Sequence, residues 1–200
     1  MPDVDLHSLP SVLLIRDLPY LPLPNRVEVL LTDAIPPHEL TRTGFMLPFT
    51  PEGNLILAVN RRRGAEASGG HIEPGEDARA AAIRESFEET GARVDRVQPL
   101  GCLRMTSEGQ VPEGWRYPHP VGFQAFFTGI TEHTGEYEPN DECLVPRMIS
   151  PAEALAPDGP LTPTLRLFHA RAFELVFGYP PAEHADLAAK AHNMSGGLGR

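Results

Sequence analysis

Three glutamates lie close together in a segment with the composition of a helix. Glu85, Glu88 and Glu89 are spaced at i, i+3 and i+4, which places their carboxylates on one helix face. Like charges at this spacing repel each other, and no lysine stands between them to offset the repulsion. Mg²⁺ and Mn²⁺ prefer carboxylate oxygens as ligands. The three carboxylates therefore predict a binding site for a hard divalent cation.

The glutamates belong to a longer pattern of spaced residues. Its members are Gly70, Glu76, Arg84, Glu85, Glu88, Glu89, Gly91 and Ala92. This pattern resembles the signature of the Nudix hydrolases, the MutT-type pyrophosphatases. Ser86 departs from the aliphatic residue that is usual after the Arg–Glu pair, and Ala67 and Ser68 stand where a Leu–Pro pair is common. The Ser86 departure predicts a mild change in packing and touches none of the charged roles.

The resemblance implies a fold and a reaction. The implied fold is α/β, a Nudix-type α/β/α sandwich with a mixed sheet between helices. The implied activity is that of a metal-dependent pyrophosphohydrolase, in which water attacks phosphorus and Mg²⁺ or Mn²⁺ is the cofactor. Among the substrates that remain open, which include nucleotide sugars, ADP-ribose, coenzyme A and dinucleoside polyphosphates, we favour a nucleoside di- or triphosphate derivative. The alternatives are a non-catalytic nucleotide sensor of the same fold and an interaction protein with an acidic helix surface.

The resemblance also implies roles for individual residues. The implied catalytic residues are Arg84, Glu85, Glu88 and Glu89. The implied metal ligands are the same three glutamates and the backbone carbonyl of Gly69. Arg84 and Glu76 are expected to form an ion pair that orients the glutamates. Gly70 and Gly91 are expected to be structural, at the turn before the helix and at its C-terminal end.

The general base stays open between three glutamates. Glu85 is our first choice, and Glu138 and Glu142 in the acidic run EYEPNDE are loop candidates. A base must reach the attacking water, which a sequence does not show. Glu73, in the turn before the helix, is expected to be a solvated turn residue rather than a ligand.

Arginines and aromatic residues outside the motif could contact the substrate. Arg61 and Arg63 follow a predicted strand, and one of them or Arg104 could hold a phosphate in a bidentate fork. The other interpretation of Arg61 and Arg63 is a solvated basic turn. Trp115 and Tyr117 lie in a loop rich in proline and glycine, where they could stack on a base or serve in packing.

Two histidines lie near these candidates. His119 and His133 have no partner at metal-ligand spacing, so we do not expect a zinc site. His119 is kept as a second candidate for a general base. The two cysteines, Cys102 and Cys143, lie among apolar residues of predicted strands and are expected to be buried, reduced thiols.

The carboxylates must be positioned by a helix over residues 77–90. Glu76 and Asp77 favour its N-terminus, and Gly91 predicts its end. An apolar stripe of Ala80, Ile83 and Phe87 is expected to pack on a sheet. The carboxylate face is expected to point towards solvent or a cleft.

The remaining pattern predicts a sheet and two further helices. The predicted strands are 26–34, 45–49, 55–60, 94–106 with an interruption at Pro99, 121–131 and 143–149. The predicted helices are 151–155 and 162–177. The turn chemistry of residues 51–54 predicts a hairpin between the second and third strands.

The chain divides into an arm, a domain and a tail. Residues 1–25 are rich in proline and predict an extended arm that lies on its own domain or reaches a second subunit. Residues 26–178 are expected to form the Nudix domain, and residues 179–200 a flexible tail.

Composition limits the range of partners. The net charge of −10 and the lack of a basic tract argue against a nucleic-acid partner. No apolar run approaches the roughly 20 residues of a spanning helix, and no signal peptide is visible. We expect a cytoplasmic protein that binds a small nucleotide-type substrate, makes no membrane contact and forms a homodimer, the last on family resemblance and the arm.

Overall fold

The computed structural model describes residues 5–134 and 137–184, with the backbone alone at residues 132–134. The strands are β1 Leu13–Arg16, β2 Asn25–Leu30, β3 Thr41–Phe49, β4 Leu55–Asn60, β5 Gly64–Glu66, β6 Ser68–His71, β7 Ala92–Ser107, β8 Val121–Thr134 and β9 Cys143–Ile149. The helices are α1 Ala78–Thr90, α2 Pro151–Leu155 and α3 Pro163–Phe177, and a 3-10 turn spans His38–Leu40.

The strands form one mixed sheet. Its order is β1-β2-β7-β8-β3-β4-β5, with β6 added to β3 and β9 added to β4. β3 and β8 run parallel, whereas the other pairs are antiparallel. The helices α1 and α3 lie on opposite faces. The predicted α/β fold, with a mixed sheet between helices, is confirmed.

Side chains that alternate along β3 feed two separate cores. Phe49 packs with Phe173 of α3 in the larger core, where their ring centroids are 5.6 Å apart. Met46 points the other way and packs with Ala78 and Ala82 of α1. This alternation is that of a strand covered on both faces. Packing on the two faces of β3 therefore fixes the positions of α1 and α3 relative to the sheet.

The ends of α1 are as the sequence predicts. Asp77 is the N-cap, and its side chain accepts a hydrogen bond from the Ala80 backbone N–H at 2.8 Å. Gly91 is the C-cap, with a left-handed φ of 69° and a backbone N–H that donates to the Phe87 carbonyl. Both signals are local, which is why the sequence places the helix correctly.

The predicted packing face of α1 is wrong. Ala80, Ile83 and Phe87 are exposed, and the Phe87 ring instead carries the Arg93 guanidinium 4.5 Å from its centroid. The buried face consists of Ala78, Ala81, Ala82, Ser86, Glu89 and Thr90. The reason is the close approach of α1 to β3, where a Cβ at Gly44 would overlap the Ala78 carbonyl oxygen. Only small side chains fit between helix and sheet at that distance.

Most other element predictions hold, with two corrections. The hairpin between β3 and β4 is confirmed. β7 is one 16-residue strand that continues through Pro99, where the pairing with β8 shifts register instead of stopping. The first predicted strand, 26–34, already ends at Leu30.

The N-terminal segment lies on its own domain. β1 pairs antiparallel with β2 as the edge of the sheet. Before it, Leu6 is buried against Leu30 and Phe123. Residues 1–4 and 185–200 lie outside the described residues, so most of the predicted tail is not tested. No helix within the described ranges has both the length and the hydropathy for a membrane span.

Both cysteines are free and buried, as predicted. Burial raises the pKa of each thiol to about 12, which keeps Cys102 and Cys143 protonated at neutral pH.

Candidate active site

A cleft of about 610 Å³ opens where the turn before α1 meets the sheet. Glu85 and Glu89 of α1 line it beside Gly69 and Gly70 of β6. Volumes of this size are typical of small-molecule sites. The cleft thus brings together four residues that the sequence motif singles out.

Glu89 is the most constrained carboxylate of the cleft. The Gly69 N–H donates to its Oε2 at 2.8 Å, and the Cys143 thiol donates to its Oε1 at 3.6 Å. Only 8% of the residue is exposed. Burial raises the pKa of Glu89 to about 7, and the neighbouring charge of Glu85 acts in the same direction. A carboxylate held in this way favours a cation close to it.

Glu85 lies directly over the backbone of β6. A Cβ at Gly70 would overlap the Glu85 carboxylate, so glycine is required for this approach. Burial raises the pKa of Glu85, whereas the hydrogen bond from Arg84 acts against that rise. Two partly desolvated carboxylates that line one cleft are typical of functional sites, which makes Glu85 and Glu89 candidates.

Arg84 connects the glutamates of the motif. Its Nε donates to Glu76 Oε1 at 2.8 Å, and its Nη2 donates to Glu76 Oε2 at 3.0 Å. Its Nη1 donates to Glu85 Oε1 at 2.9 Å and to Glu88 Oε2 at 3.1 Å. The guanidinium holds the pKa of the Glu76 carboxyl below its usual range. The predicted ion pair between Arg84 and Glu76 is confirmed.

The carboxylate oxygens fit a hard divalent cation by their chemistry. Among the described residues, no group of three or more His, Cys, Asp or Glu side chains already has the geometry of a metal site. Arg84 Nη1 donates to one oxygen of Glu85 and to one oxygen of Glu88. Burial raises the pKa of Glu89 and of Glu85 because it disfavours the ionised form, and a bound cation would offset that penalty. Glu85 and Glu89 are therefore the fitting donors.

Aromatic side chains form one wall of the cleft. Trp115 and Tyr117 meet edge to face with ring centroids 5.2 Å apart. The Tyr117 hydroxyl is 3.1 Å from His71 Nε2. The Trp115 Nε1–H is buried and has no acceptor among the described residues. The structure thus places both predicted aromatic residues at the cleft.

Two polar residues of the cleft floor were not predicted. Thr43 of β3 and Gln124 of β8 lie side by side, because the two strands pair at these positions. Both are ordinary strand residues with polar side chains, and no spacing or composition in the sequence distinguishes them.

The three arginine candidates have different surroundings. Arg63 lines the cleft and makes a bidentate pair with Glu66, with Nη2 to Oε1 at 2.8 Å. Arg61 lines a smaller neighbouring cavity, and its Nε donates to the Asn140 carbonyl at 2.9 Å. Arg63 is therefore the arginine of this run that the structure brings to the cleft.

A phosphate role for Arg104 does not fit the structure. Its Nε and Nη2 donate to Glu28 at 2.9 and 2.8 Å. Its Nη1 donates to the backbone carbonyls of Leu6 and His7. Arg104 is 8% exposed and lies on the strand pair β2–β7 directly opposite Glu28. Its guanidinium ties the N-terminal segment to the sheet, so we correct this prediction.

The structure also distinguishes the other candidates for a general base by whether they line the cleft. Glu142 lines the cleft, where its Oε1 accepts from Asn60 Nδ2 at 3.3 Å and lies 3.7 Å from Arg63 Nη2. Glu138 is exposed and is not among the residues that line the cleft. His119 lines the cleft, with Nε2 3.0 Å from the Gly109 carbonyl oxygen. The side chain of His133 lies outside the described part of the chain.

Comparison with known proteins agrees with this arrangement. The model of the NUDIX domain matches residues 40–173 of the chain. The protein therefore belongs to the Nudix family, and the predicted resemblance is confirmed.

Two individual relatives match the chain over part of its length or at low sequence identity. The chain is 42% identical over 59 residues to the putative 8-oxo-dGTP diphosphatase YtkD of Bacillus subtilis, a match that spans 30% of this chain and 37% of that protein. The crystal structure of the Bacillus subtilis pyrophosphohydrolase BsRppH superposes with a TM-score of 0.57 and 20% identity, covering 77% of this chain and 94% of that one. At this identity the likeness supports the fold alone.

Proposed function

We propose that the protein is a metal-dependent pyrophosphohydrolase that cleaves a phosphoanhydride bond of a nucleoside di- or triphosphate derivative. The observation that carries the proposal is the pair of carboxylates, the partly buried Glu85 and the buried Glu89, that line a cleft with an aromatic wall. Membership of the Nudix family supports hydrolysis of this kind. Local similarity to YtkD, a putative 8-oxo-dGTP diphosphatase, supports a nucleoside triphosphate as the substrate.

The substrate has one orientation that suits the charges. Its phosphates would lie at Glu85, Glu89 and Arg63, where a cation and a guanidinium can offset their charge. Its base would lie against Trp115 and Tyr117, which can stack on a flat ring. The two ends of the cleft thus suit the two chemically distinct halves of a nucleotide.

A bound Mg²⁺ or Mn²⁺ would neutralise the phosphates and lower the pKa of a bound water. Glu85 and Glu89 would hold the cation, with Glu88 and the Gly69 carbonyl as further oxygen donors by family resemblance. Arg84 keeps the Glu85 carboxylate in place through its bond from Nη1. Gly69 does the same for Glu89 through its N–H. These contacts supply the positioning on which phosphoryl chemistry depends.

The proton of the attacking water would be taken by a carboxylate of the cleft. Glu85 remains our first candidate, and its pKa, raised by burial, suits a base better than an ordinary carboxyl would. Glu142 is the loop candidate that lines the cleft, whereas Glu138 does not line it.

The proposal is tested by turnover on a panel of nucleoside triphosphates and nucleoside diphosphate derivatives, with Mg²⁺, with Mn²⁺ and with a chelator. We expect metal-dependent release of a nucleoside monophosphate. Glu89→Gln should lose most of the turnover and keep its fold by circular dichroism. Glu138→Gln is the matched control and should keep wild-type turnover, while Glu142→Gln shows whether the loop supplies the base.

The opposite outcomes are equally clear. A folded wild-type protein that binds nucleotides and turns over none of them would be a sensor. A Glu89→Gln variant with full activity would remove that residue from the site. Assembly as a homodimer is a separate proposal, and sedimentation at micromolar concentration that shows monomers alone would end it.

A further inference from the structure

We propose that Thr43 and Gln124 bind the hydrogen-bonding edge of the nucleobase at the floor of the cleft. This inference rests on the proposed function, because it assumes that a nucleotide occupies the cleft. It adds the two residues that would tell one base from another, which neither the motif nor the family match assigns.

Thr43 carries a buried hydroxyl that no group in the described part of the chain satisfies. The residue is 6% exposed and lines the cleft, and its Oγ1 has no hydrogen-bond partner among the described residues. A hydroxyl left unpaired away from water carries a cost, and an apolar residue such as valine would avoid it. A hydroxyl at the floor of a substrate cleft is satisfied when the ligand supplies the missing partner.

A β-bulge places Thr43 beside Gln124. On one side of the bulge Thr41 pairs with Phe123, and on the other side Thr43 pairs with Gln124. Arg42 is therefore the extra residue of β3, and β8 has none to match it. Without this shift of register, Arg42 would be the neighbour of Gln124. Bulges commonly redirect side chains near active sites, and here the result is two neutral polar groups next to each other.

Gln124 provides the second half of the contact. Its side chain is half-buried, lines the cleft and has no hydrogen bond to any residue that the structure describes. A glutamine amide offers both donors and an acceptor, which matches the paired donors and acceptors on the edge of a base. Together with the Thr43 hydroxyl it forms a short polar edge in the same cleft that Trp115 and Tyr117 line.

The position of this polar edge fits the length of a nucleotide. His71, Thr43 and Gln124 are paired in register across β6, β3 and β8. Two strand spacings separate the ends of this row, which is about 10 Å. His71 directly follows Gly70, on which Glu85 lies. The row therefore begins at His71, which lies next to Gly70 and has its Nε2 3.1 Å from the Tyr117 hydroxyl, and it extends from there through Thr43 to Gln124.

The chain contains its own reporter for this test, because Trp115 is its single tryptophan and lines the cleft. We would titrate the full-length protein with the 5′-monophosphates of the four common bases and with ribose 5-phosphate, which has no base. Binding is followed by tryptophan fluorescence and by calorimetry. The variants are Thr43→Val and Gln124→Leu. Thr41→Val is the matched control, because Thr41 is equally buried but donates its hydroxyl to the Pro37 carbonyl at 2.8 Å.

We expect each of the two variants to weaken binding of the preferred monophosphate about tenfold, as for one lost hydrogen bond at a buried site. Binding of ribose 5-phosphate should not change. Thr43→Val should melt at the wild-type temperature or above it. Thr41→Val should keep wild-type affinity and melt lower.

The inference is overturned by unchanged monophosphate affinity in both variants, by an equal loss for ribose 5-phosphate, or by the absence of saturable monophosphate binding to the wild type. It can fail independently of the proposed function. If the wild type turns over nucleotides and both variants bind monophosphates as tightly as it does, this inference alone is refuted. Loss of base selectivity in a protein without turnover refutes the hydrolase and leaves the base contact standing.

Discussion

His169 should make the stability of the protein depend on pH. It lies on α3 between Phe49 and Phe173, is 1% exposed, and its Nε2 has no partner among the described residues. Burial lowers the pKa of His169 from its ordinary value of 6.5 to about 4. The folded protein therefore keeps this imidazole neutral in a range where the unfolded chain protonates it.

The sign and size of the pH effect on stability follow from the difference between the pKa of His169 in the folded and the unfolded protein. A folded pKa below the unfolded one means that the unfolded state binds the proton first as pH falls. Stability is fully present above pH 6.5 and is lost progressively towards pH 4. The full difference corresponds to about 3 kcal/mol, and the part between pH 7.5 and pH 5 to about 2 kcal/mol.

The assay is urea denaturation of the wild type and of His169→Leu at pH 7.5, 6 and 5. We expect the free energy of unfolding of the variant, relative to wild type, to rise by about 2 kcal/mol between pH 7.5 and pH 5. Other titrating groups are common to both proteins, so the difference isolates His169. His38→Leu, at an exposed position, is the control and should show no such trend.

A constant difference between His169→Leu and wild type across this pH range would refute the reasoning. It would mean that the buried imidazole is protonated in the folded state, or that α3 opens enough to hydrate it. Amide hydrogen exchange of α3 at pH 5 would then separate these two explanations.

Two further predictions concern the sheet beneath the site. Gly44→Ala should destabilise the fold by about 1–3 kcal/mol and lower turnover, because the new Cβ forces α1 and its glutamates away from β3. A variant with the stability and turnover of the wild type would show that α1 is not fixed at Gly44. Arg104→Gln should cost about 3 kcal/mol of unfolding free energy, because it removes the bidentate partner of the partly buried Glu28 and leaves Arg26 as its remaining cation. The folded variant should keep its kcat/KM, and a raised KM with normal stability would restore the phosphate role that we reject.

The sequence predicted those parts of the site that are local along the chain. The motif glutamates, the N-cap Asp77 and the C-cap Gly91 belong to one segment, so their spacing carries the information. The packing face of α1 is not determined by this local spacing. It depends on how closely the helix approaches Gly44, a residue of a distant strand, and the apolar stripe of Ile83 and Phe87 is therefore misleading.

The rest of the site depends on strand register. Thr43 and Gln124 meet through a parallel pair with a bulge, and a polar residue in a strand carries no mark of that event. Arg104 shows the same limit. A sequence does not distinguish an arginine that binds phosphate from one that holds a partly buried carboxylate. The pairing of Glu28 with Arg104 across β2 and β7 decides between the two roles.

The close seating of α1 divides the helix into two sets of positions for protein engineering. Ala80, Ile83 and Phe87 face outward, so a library could resurface them with polar residues at little cost to the site. Ala78 and Ala82 set the gap between helix and sheet, and even one added methyl group there would move the carboxylates of Glu85 and Glu89. The exposed face of α1 should therefore tolerate substitution far better than the face that packs on the sheet.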